Sequence, residues 1–79
     1  MHRAAGHGSS EYRHNAALIM AQTIRMLQAG VQLQCGICGR NLAPNVSLSV
    51  DHVIRLRDGG SHEPQNLRVV HARCNSSDH

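Results

Sequence analysis

The sequence predicts a small α+β domain in which one helix precedes two short strands and a metal site. Three observations indicate this arrangement: an apolar pattern of helical period near the N-terminus, two strand patterns in the second half, and two pairs of metal-ligating residues. A chain of 79 residues is expected to form one domain. We expect residues 1–9 to be a flexible tail and residues 10–79 to be that domain.

The first element is a helix, expected over about residues 10–29. Ser9 or Ser10 suits the N-cap position, and Gly30 suits the position that ends a helix. We expect this helix to cover the core and to carry no chemistry. Its apolar residues at helical spacing are Ala17, Met20, Ile24, Leu27 and Val31.

Two strands and a short final helix are expected in the second half of the chain. Residues 46–53 alternate between apolar and polar side chains, which is the period of a half-buried strand. Turn-forming residues fill positions 57–61, and residues 67–71 form a second short strand. Residues 72–79 are long enough for a helix of about two turns. We expect residues 32–79 to form a compact core.

The composition indicates that this core needs a further source of stability. The chain has no Phe or Trp, and Tyr12 is its one aromatic residue. Small domains of this kind are usually held by disulfides, a metal or a partner. Three cysteines cannot all pair within one chain, and the first ten residues lack the apolar segment of a signal peptide. No stretch is apolar over the roughly 20 residues that a membrane span needs. We therefore expect a cytoplasmic protein whose cysteines are reduced and bind metal.

Two ligand pairs, Cys35-x-x-Cys38 and His71-x-x-Cys74, predict a structural zinc site. A gap of two residues lets both side chains of a pair reach one tetrahedral ion. A redox-active C-x-x-C motif would be expected within a βαβ pattern, which this sequence lacks, and buried free thiols are the remaining alternative. Four protein ligands leave no open coordination position, so the zinc would support the fold and not the chemistry.

The charge pattern is compatible with nucleic acid but is weak support for it. The net charge is +3 with neutral histidines, and all eight basic residues are arginines. Arginine offers a planar fork of donors that matches phosphate. The coding bias of a GC-rich genome would explain the same preference equally well.

Three polar features lie between or beside the ligand pairs: Asp51-His52, Asn66 and Asn75. Together with the pairs they resemble the HNH endonuclease family over about residues 32–79. The matching text is C-x-x-C, then S-V-D-H-V-I-x-L-x-x-G-G-S, then N-L-R-V-V-H-x-x-C-N. Looser similarity extends upstream to residues 8–13, and the chain looks most like short HNH proteins encoded in phage genomes near the packaging genes.

The resemblance implies a ββα-metal finger, in which two antiparallel strands and a helix enclose one catalytic divalent ion. It implies that His52 is the general base and that Asp51 binds the catalytic ion. Asn66 corresponds to the Asn that pins the loop between the strands and so orients His52. Asn75 stands where many relatives have His, and it would also bind the ion.

The chemistry of these residue types agrees with the implied roles. Cleavage of a phosphodiester needs a base to activate water and a cation to neutralise charge on the phosphate. An imidazole accepts a proton near neutral pH, and the oxygens of Asp and Asn are hard ligands suited to Mg²⁺ or Mn²⁺. Taken one at a time, Asp51-His52 could be a solvated strand edge, Asn66 a turn residue and Asn75 a residue that starts a helix.

Two further sets of residues are candidates. Basic side chains around the core would contact DNA phosphates: Arg55, Arg57, Arg68 and Arg73. His79 follows Asn75 by four residues, which places both on one helical face. The colicin DNases, which belong to the same superfamily, have an extra metal-binding His at about that spacing. His79 is therefore either a further ligand or a disordered terminal residue.

The sequence thus predicts a divalent-metal-dependent HNH endonuclease that nicks or cuts DNA with little sequence preference, in the cytoplasm of a bacterial or phage-infected cell. The resemblance implies 3′-hydroxyl and 5′-phosphate ends. The alternative is a zinc-stapled DNA-binding or accessory module of a phage terminase or packaging complex, without cleavage of its own. Asp51, His52 and Asn75 separate the two hypotheses, because a pure binding module has no need of them together.

Overall fold

The structure, a computed structural model, describes residues 10–78, and the side chain of Asp78 is outside the description. The expected tail at residues 1–9 and the candidate ligand His79 therefore lie outside the described residues. Among those that are described, the elements in chain order are helix α1 (Ser10–Gln28), strand β1 (Leu48–His52), strand β2 (Leu67–His71) and helix α2 (Ala72–Asp78). The predicted α+β order of helix, two strands and helix is confirmed.

The two strands form an antiparallel hairpin, which is the centre of the fold. Leu48 is paired with His71 at one end, and His52 is paired with Leu67 at the other. Because side chains alternate along a strand, Ser49 and Asp51 share one face of the sheet. The long connection between the strands contains two short 3₁₀ turns, at Leu56–Asp58 and Pro64–Asn66.

The core is small and made of medium-sized side chains around the hairpin. Val70 is fully buried at its centre. The other buried apolar residues are Leu27, Cys35, Leu42, Val50, Leu67 and Val69. The buried apolar residues include no Phe, Trp or Tyr, and the need for a further source of stability stays a prediction. No helix within residues 10–78 is long and apolar enough to cross a membrane.

Helix α1 packs on the core along part of the predicted stripe, but two of the five predicted residues are exposed. Leu27 and Thr23 are buried, whereas Ala17 and Val31 are exposed. The inward stripe also includes Tyr12, Ala16, Ile19 and Met20. The prediction was wrong at Ala17 and Val31 for two reasons. It followed apolar residues and so passed over the inward polar Thr23, and Gly30 has a positive φ of 89°, which turns the chain before Val31.

Candidate active site and metal centre

The four predicted zinc ligands come together at one end of the hairpin. Cys35 and Cys38 lie in the turn after α1, His71 ends β2, and Cys74 lies in α2. Their ligand atoms all lie within 4.8 Å of one another. The structure therefore gathers all four residues into one group that can hold a metal ion.

The backbone around Cys35 is folded to present N–H groups to sulfur. The Cys35 Sγ accepts hydrogen bonds from the backbone of Ile37 at 3.4 Å, Cys38 at 3.5 Å and His71 at 3.4 Å. Burial opposes ionisation of the Cys35 thiol, but these N–H groups outweigh it and lower the pKa to about 6. A thiolate is thus favoured at neutral pH, and the thiolate is the form that binds metal.

The pKa of the Cys74 thiol is affected by the other two cysteines of the group. Burial and the adjacent Cys38 and Cys35 sulfurs raise the pKa of Cys74 to about 11. A cation among the sulfurs would remove this repulsion, and three sulfurs with one imidazole nitrogen are a common tetrahedral zinc set. The residues present fit zinc.

Asp51 and Arg68 form an ion pair across the hairpin. Asp51 is buried, and its Oδ2 accepts a hydrogen bond from Arg68 Nη2 at 3.1 Å. Arg68 Nη1 donates to the Gly36 carbonyl at 2.9 Å. A Cβ at Gly36 would lie 2.5 Å from Arg68 Cδ, so the glycine leaves the space that the arginine side chain occupies. Arg68, predicted to contact DNA, is thus held at Asp51 within the domain.

Asn75 from α2 packs on the sheet face that carries Asp51. Its Nδ2 donates to Ser49 Oγ at 3.0 Å, and Ser49 shares that face with Asp51. Its Oδ1 is buried and has no hydrogen-bond partner among the described residues. An unpaired buried acceptor is unfavourable by about 1–3 kcal/mol. A buried amide oxygen on the sheet face that carries a carboxylate offers two hard ligands, so these residue types fit a divalent cation.

His52 lies in a group of three rings, which we call the ring cluster: Tyr12, His52 and His62. His52 is buried, and its Nε2 lies 3.1 Å from His62 Nδ1. The Tyr12 ring stacks on His52 with a centroid distance of 5.2 Å and an angle of 22°. Tyr12 donates its hydroxyl to the Val50 carbonyl at 2.9 Å. Burial and the nearby Asp51 carboxylate raise the pKa of Tyr12, which keeps this hydroxyl protonated.

Asn66 fastens the loop that follows His52. Its Nδ2 donates to the carbonyls of Ile54 at 3.0 Å and Ser61 at 2.8 Å, and its Oδ1 accepts from the Ile54 N–H at 2.9 Å. Gly60 completes the closure, because a Cβ there would overlap the Ile54 carbonyl. One buried side chain thus bonds to both sides of the loop.

The comparison with known families agrees with this arrangement. A sequence model described as HNH endonuclease matches residues 35–79, which is more than half of the chain. The chain belongs to the HNH endonuclease family. No curated protein and no solved structure matches it. The stretch that matches the HNH family contains the four candidate zinc ligands, Asp51, His52, Asn66 and Asn75, whereas α1 precedes it.

Sequence reasoning missed two residues that contact His52, namely Tyr12 and His62, and a third, Asn15, that contacts His62. His62 lies between the predicted turn at residues 57–61 and the second strand, where no functional residue was expected, and Tyr12 and Asn15 belong to a helix for which no chemistry was expected. Asn15 Nδ2 donates to the His62 carbonyl at 2.8 Å across 47 residues of chain. Tyr12 and Asn15 are three residues apart, the spacing of neighbours on one helical face, and this polar pair was the available signal.

The candidate DNA contacts fall into two groups. Arg55, Arg57 and Arg73 are exposed, whereas Arg68 is held by Asp51. Arg73 and Arg40, which was not among the predicted contacts, line an open groove of about 690 Å³. Three of the four candidate zinc ligands, Cys38, His71 and Cys74, also line this groove. DNA contact by Arg55, Arg57, Arg68 and Arg73 stays a prediction.

Proposed function

We propose that this HNH protein is a divalent-metal-dependent endonuclease that nicks or cleaves DNA with low sequence specificity, using His52 as general base. The observation that carries the proposal is the buried Oδ1 of Asn75, which has no hydrogen-bond partner within residues 10–78 and belongs to a side chain on the sheet face of Asp51. Asp51 in turn directly precedes His52 in the sequence. A domain that only binds DNA has no need of this combination. Membership of the HNH family supports the same reaction class.

Each residue of the site has a proposed task. Asp51 and Asn75 would hold Mg²⁺, Mn²⁺ or another divalent ion, which when bound supplies positive charge to the scissile phosphate. Arg68 fixes the Asp51 carboxylate by the 3.1 Å ion pair. His52 takes the proton from the attacking water. Asn66 holds the loop after His52 and so limits where the imidazole can point.

The Cys35, Cys38, His71 and Cys74 group is proposed to bind zinc as a structural ion. Its four ligands fill a tetrahedral shell, so the zinc has no position for water or substrate. The exposed Arg55, Arg57 and Arg73 would contact phosphates, which carry no sequence information. Low specificity follows from this type of contact.

A plasmid nicking assay tests the proposal. The wild-type protein is expected to convert supercoiled DNA to nicked or linear forms with Mg²⁺ or Mn²⁺ and not in divalent-free buffer. Zinc content is measured in both buffers, so that loss of zinc is not mistaken for loss of the catalytic ion. We expect His52→Ala to lower the rate by about 10²- to 10⁴-fold or more, the usual contribution of general-base catalysis.

The matched control is His14→Ala, because His14 is an exposed histidine on α1. It should cleave like the wild type, and both variants should keep their zinc and their cooperative melting. Wild-type rates in His52→Ala would contradict the assignment of the base. DNA binding without cleavage in any metal would favour the alternative, a zinc-stapled accessory module such as a component of a phage packaging complex.

A further inference from the structure

The contact between His52 and His62 restricts how the two imidazoles share their protons. The distance from His52 Nε2 to His62 Nδ1 is 3.1 Å, and both residues are buried. A hydrogen bond at this distance needs one N–H and one lone pair. A neutral imidazole has one N–H and one lone pair, so if Nε2 carries the proton, Nδ1 of the same ring carries the lone pair, and the reverse.

The proposed role of His52 favours one of the two arrangements. If His62 donated to His52 Nε2, the proton of a neutral His52 would lie on Nδ1 and its one lone pair would be used in the contact. If His52 Nε2–H donates to His62 Nδ1, the lone pair of His52 lies on Nδ1 and can accept a proton from water. In the second arrangement His62 is the acceptor, and it stabilises the tautomer of His52 that has its lone pair on Nδ1.

Both the backbone at His62 and its ring have contacts that fix their position, and an acceptor with a defined position requires such contacts. Asn15 of α1 donates to its backbone carbonyl at 2.8 Å, and Asn66 donates to the carbonyl of the preceding Ser61 at 2.8 Å. The Tyr12 ring packs against the His62 ring with a centroid distance of 5.6 Å. Helix α1, which precedes the segment matched to the family, therefore supports the general base through His62.

We infer that His62 is a positioning residue of the nuclease, which accepts the Nε2–H of His52 and so fixes the tautomer and direction of the base. The inference rests on the proposed function, since it gives His62 a task in the same reaction. His62 does not touch the substrate in this role. Its removal should therefore lower kcat and leave KM for DNA unchanged.

Three variants test the role by activity. His62→Leu fills the space without an acceptor, and we expect kcat to fall by roughly 10- to 100-fold, the usual effect of losing a partner that orients a functional histidine. His62→Asn offers an amide oxygen near the position of Nδ1 and should recover most of this loss. The control His14→Leu makes the same replacement at an exposed site. Equal rates in wild type and His62→Leu, or a loss in KM alone, would overturn the inference, as would an Asn variant no better than Leu.

Imidazole ¹H–¹⁵N correlation spectra test the contact without any need for activity. In the wild type we expect His52 to carry its proton on Nε2, with slow exchange against water. That protected proton should be lost in His62→Leu and retained in His62→Asn. A His52 proton on Nδ1 in the wild type would overturn the inference alone. A wild type that cleaves no DNA would overturn the proposed function, so the two failures are distinguishable.

Discussion

The two ends of the β1–β2 hairpin are held by different kinds of interaction. At the Leu48–His71 end, four ligand atoms within 4.8 Å form one compact group. At the His52–Leu67 end, the chain is held by three hydrogen bonds from Asn66 and by ring contacts that reach α1. We expect the first end to depend on one ion and the second on many weak contacts.

This difference determines how the stability of the domain should respond when an interaction at either end is removed by mutation. A structural zinc site contributes an apparent free energy of roughly 10–16 kcal/mol, comparable to or larger than the stability of most domains. A hydrogen bond typically contributes about 1 kcal/mol, so losing one loosens a loop without unfolding the domain. Loss of one ligand at the Leu48–His71 end should therefore unfold the domain, whereas loss of one contact at the His52–Leu67 end should only lower its stability.

The largest expected effect is loss of the metal site. Cys38→Ser removes one of four ligands and should abolish cooperative unfolding, because the small core does not hold the domain by itself. Wild-type protein purified without added metal should contain one zinc per chain by elemental analysis. Circular dichroism during heating measures the transition. A cooperative transition in metal-free protein would contradict the dependence on zinc.

The same difference explains which features could be predicted from the sequence. Each zinc pair is separated by two residues, so Cys35 and Cys38 share a turn, and their chemistry can be read locally. The ring cluster has no such local signature, because Tyr12 reaches the Val50 carbonyl across 38 residues and Asn15 reaches His62 across 47. Only the packing of α1 on the hairpin brings them together.

The second largest effect is expected at Asn66. Asn66→Ala leaves the Ile54 N–H and the carbonyls of Ile54 and Ser61 without their partner. We expect a loss of about 2–3 kcal/mol in the free energy of unfolding, since water can replace part of these bonds near the surface. Urea denaturation measures it, and zinc content should stay at the wild-type value. Gln65→Ala is the matched control, because within the described part of the chain its side chain bonds only to the exposed Glu63.

A smaller effect on stability, with a clear effect on metal, is expected at Asn75. Asn75→Ala removes the bond to Ser49 but also removes the buried Oδ1, which lacks a partner among residues 10–78, so the two changes offset each other within about 1 kcal/mol. The Mg²⁺ concentration needed for half-maximal cleavage should rise about tenfold or more. Ser49→Ala is the control, because it breaks the same hydrogen bond and keeps the amide oxygen. If both variants shift the Mg²⁺ requirement equally, Asn75 is not a ligand.

The smallest expected effect is a change in the salt dependence of DNA binding. With about three to five phosphates neutralised, the slope of log K against log salt should be roughly −3 to −5, because each contact contributes about 0.9. Arg73→Ala or Arg57→Ala should each reduce the slope by about 0.9, since both side chains are exposed. Arg25→Ala, which changes an exposed arginine in the last turn of α1, is the matched control and should leave the slope unchanged.

Fluorescence anisotropy with duplexes of shuffled sequence should give similar affinities, because phosphate contacts do not read bases. A duplex bound a thousandfold more tightly than the others at fixed salt would contradict low specificity, and the exposed face of α1 would then be the first surface to test for base contacts.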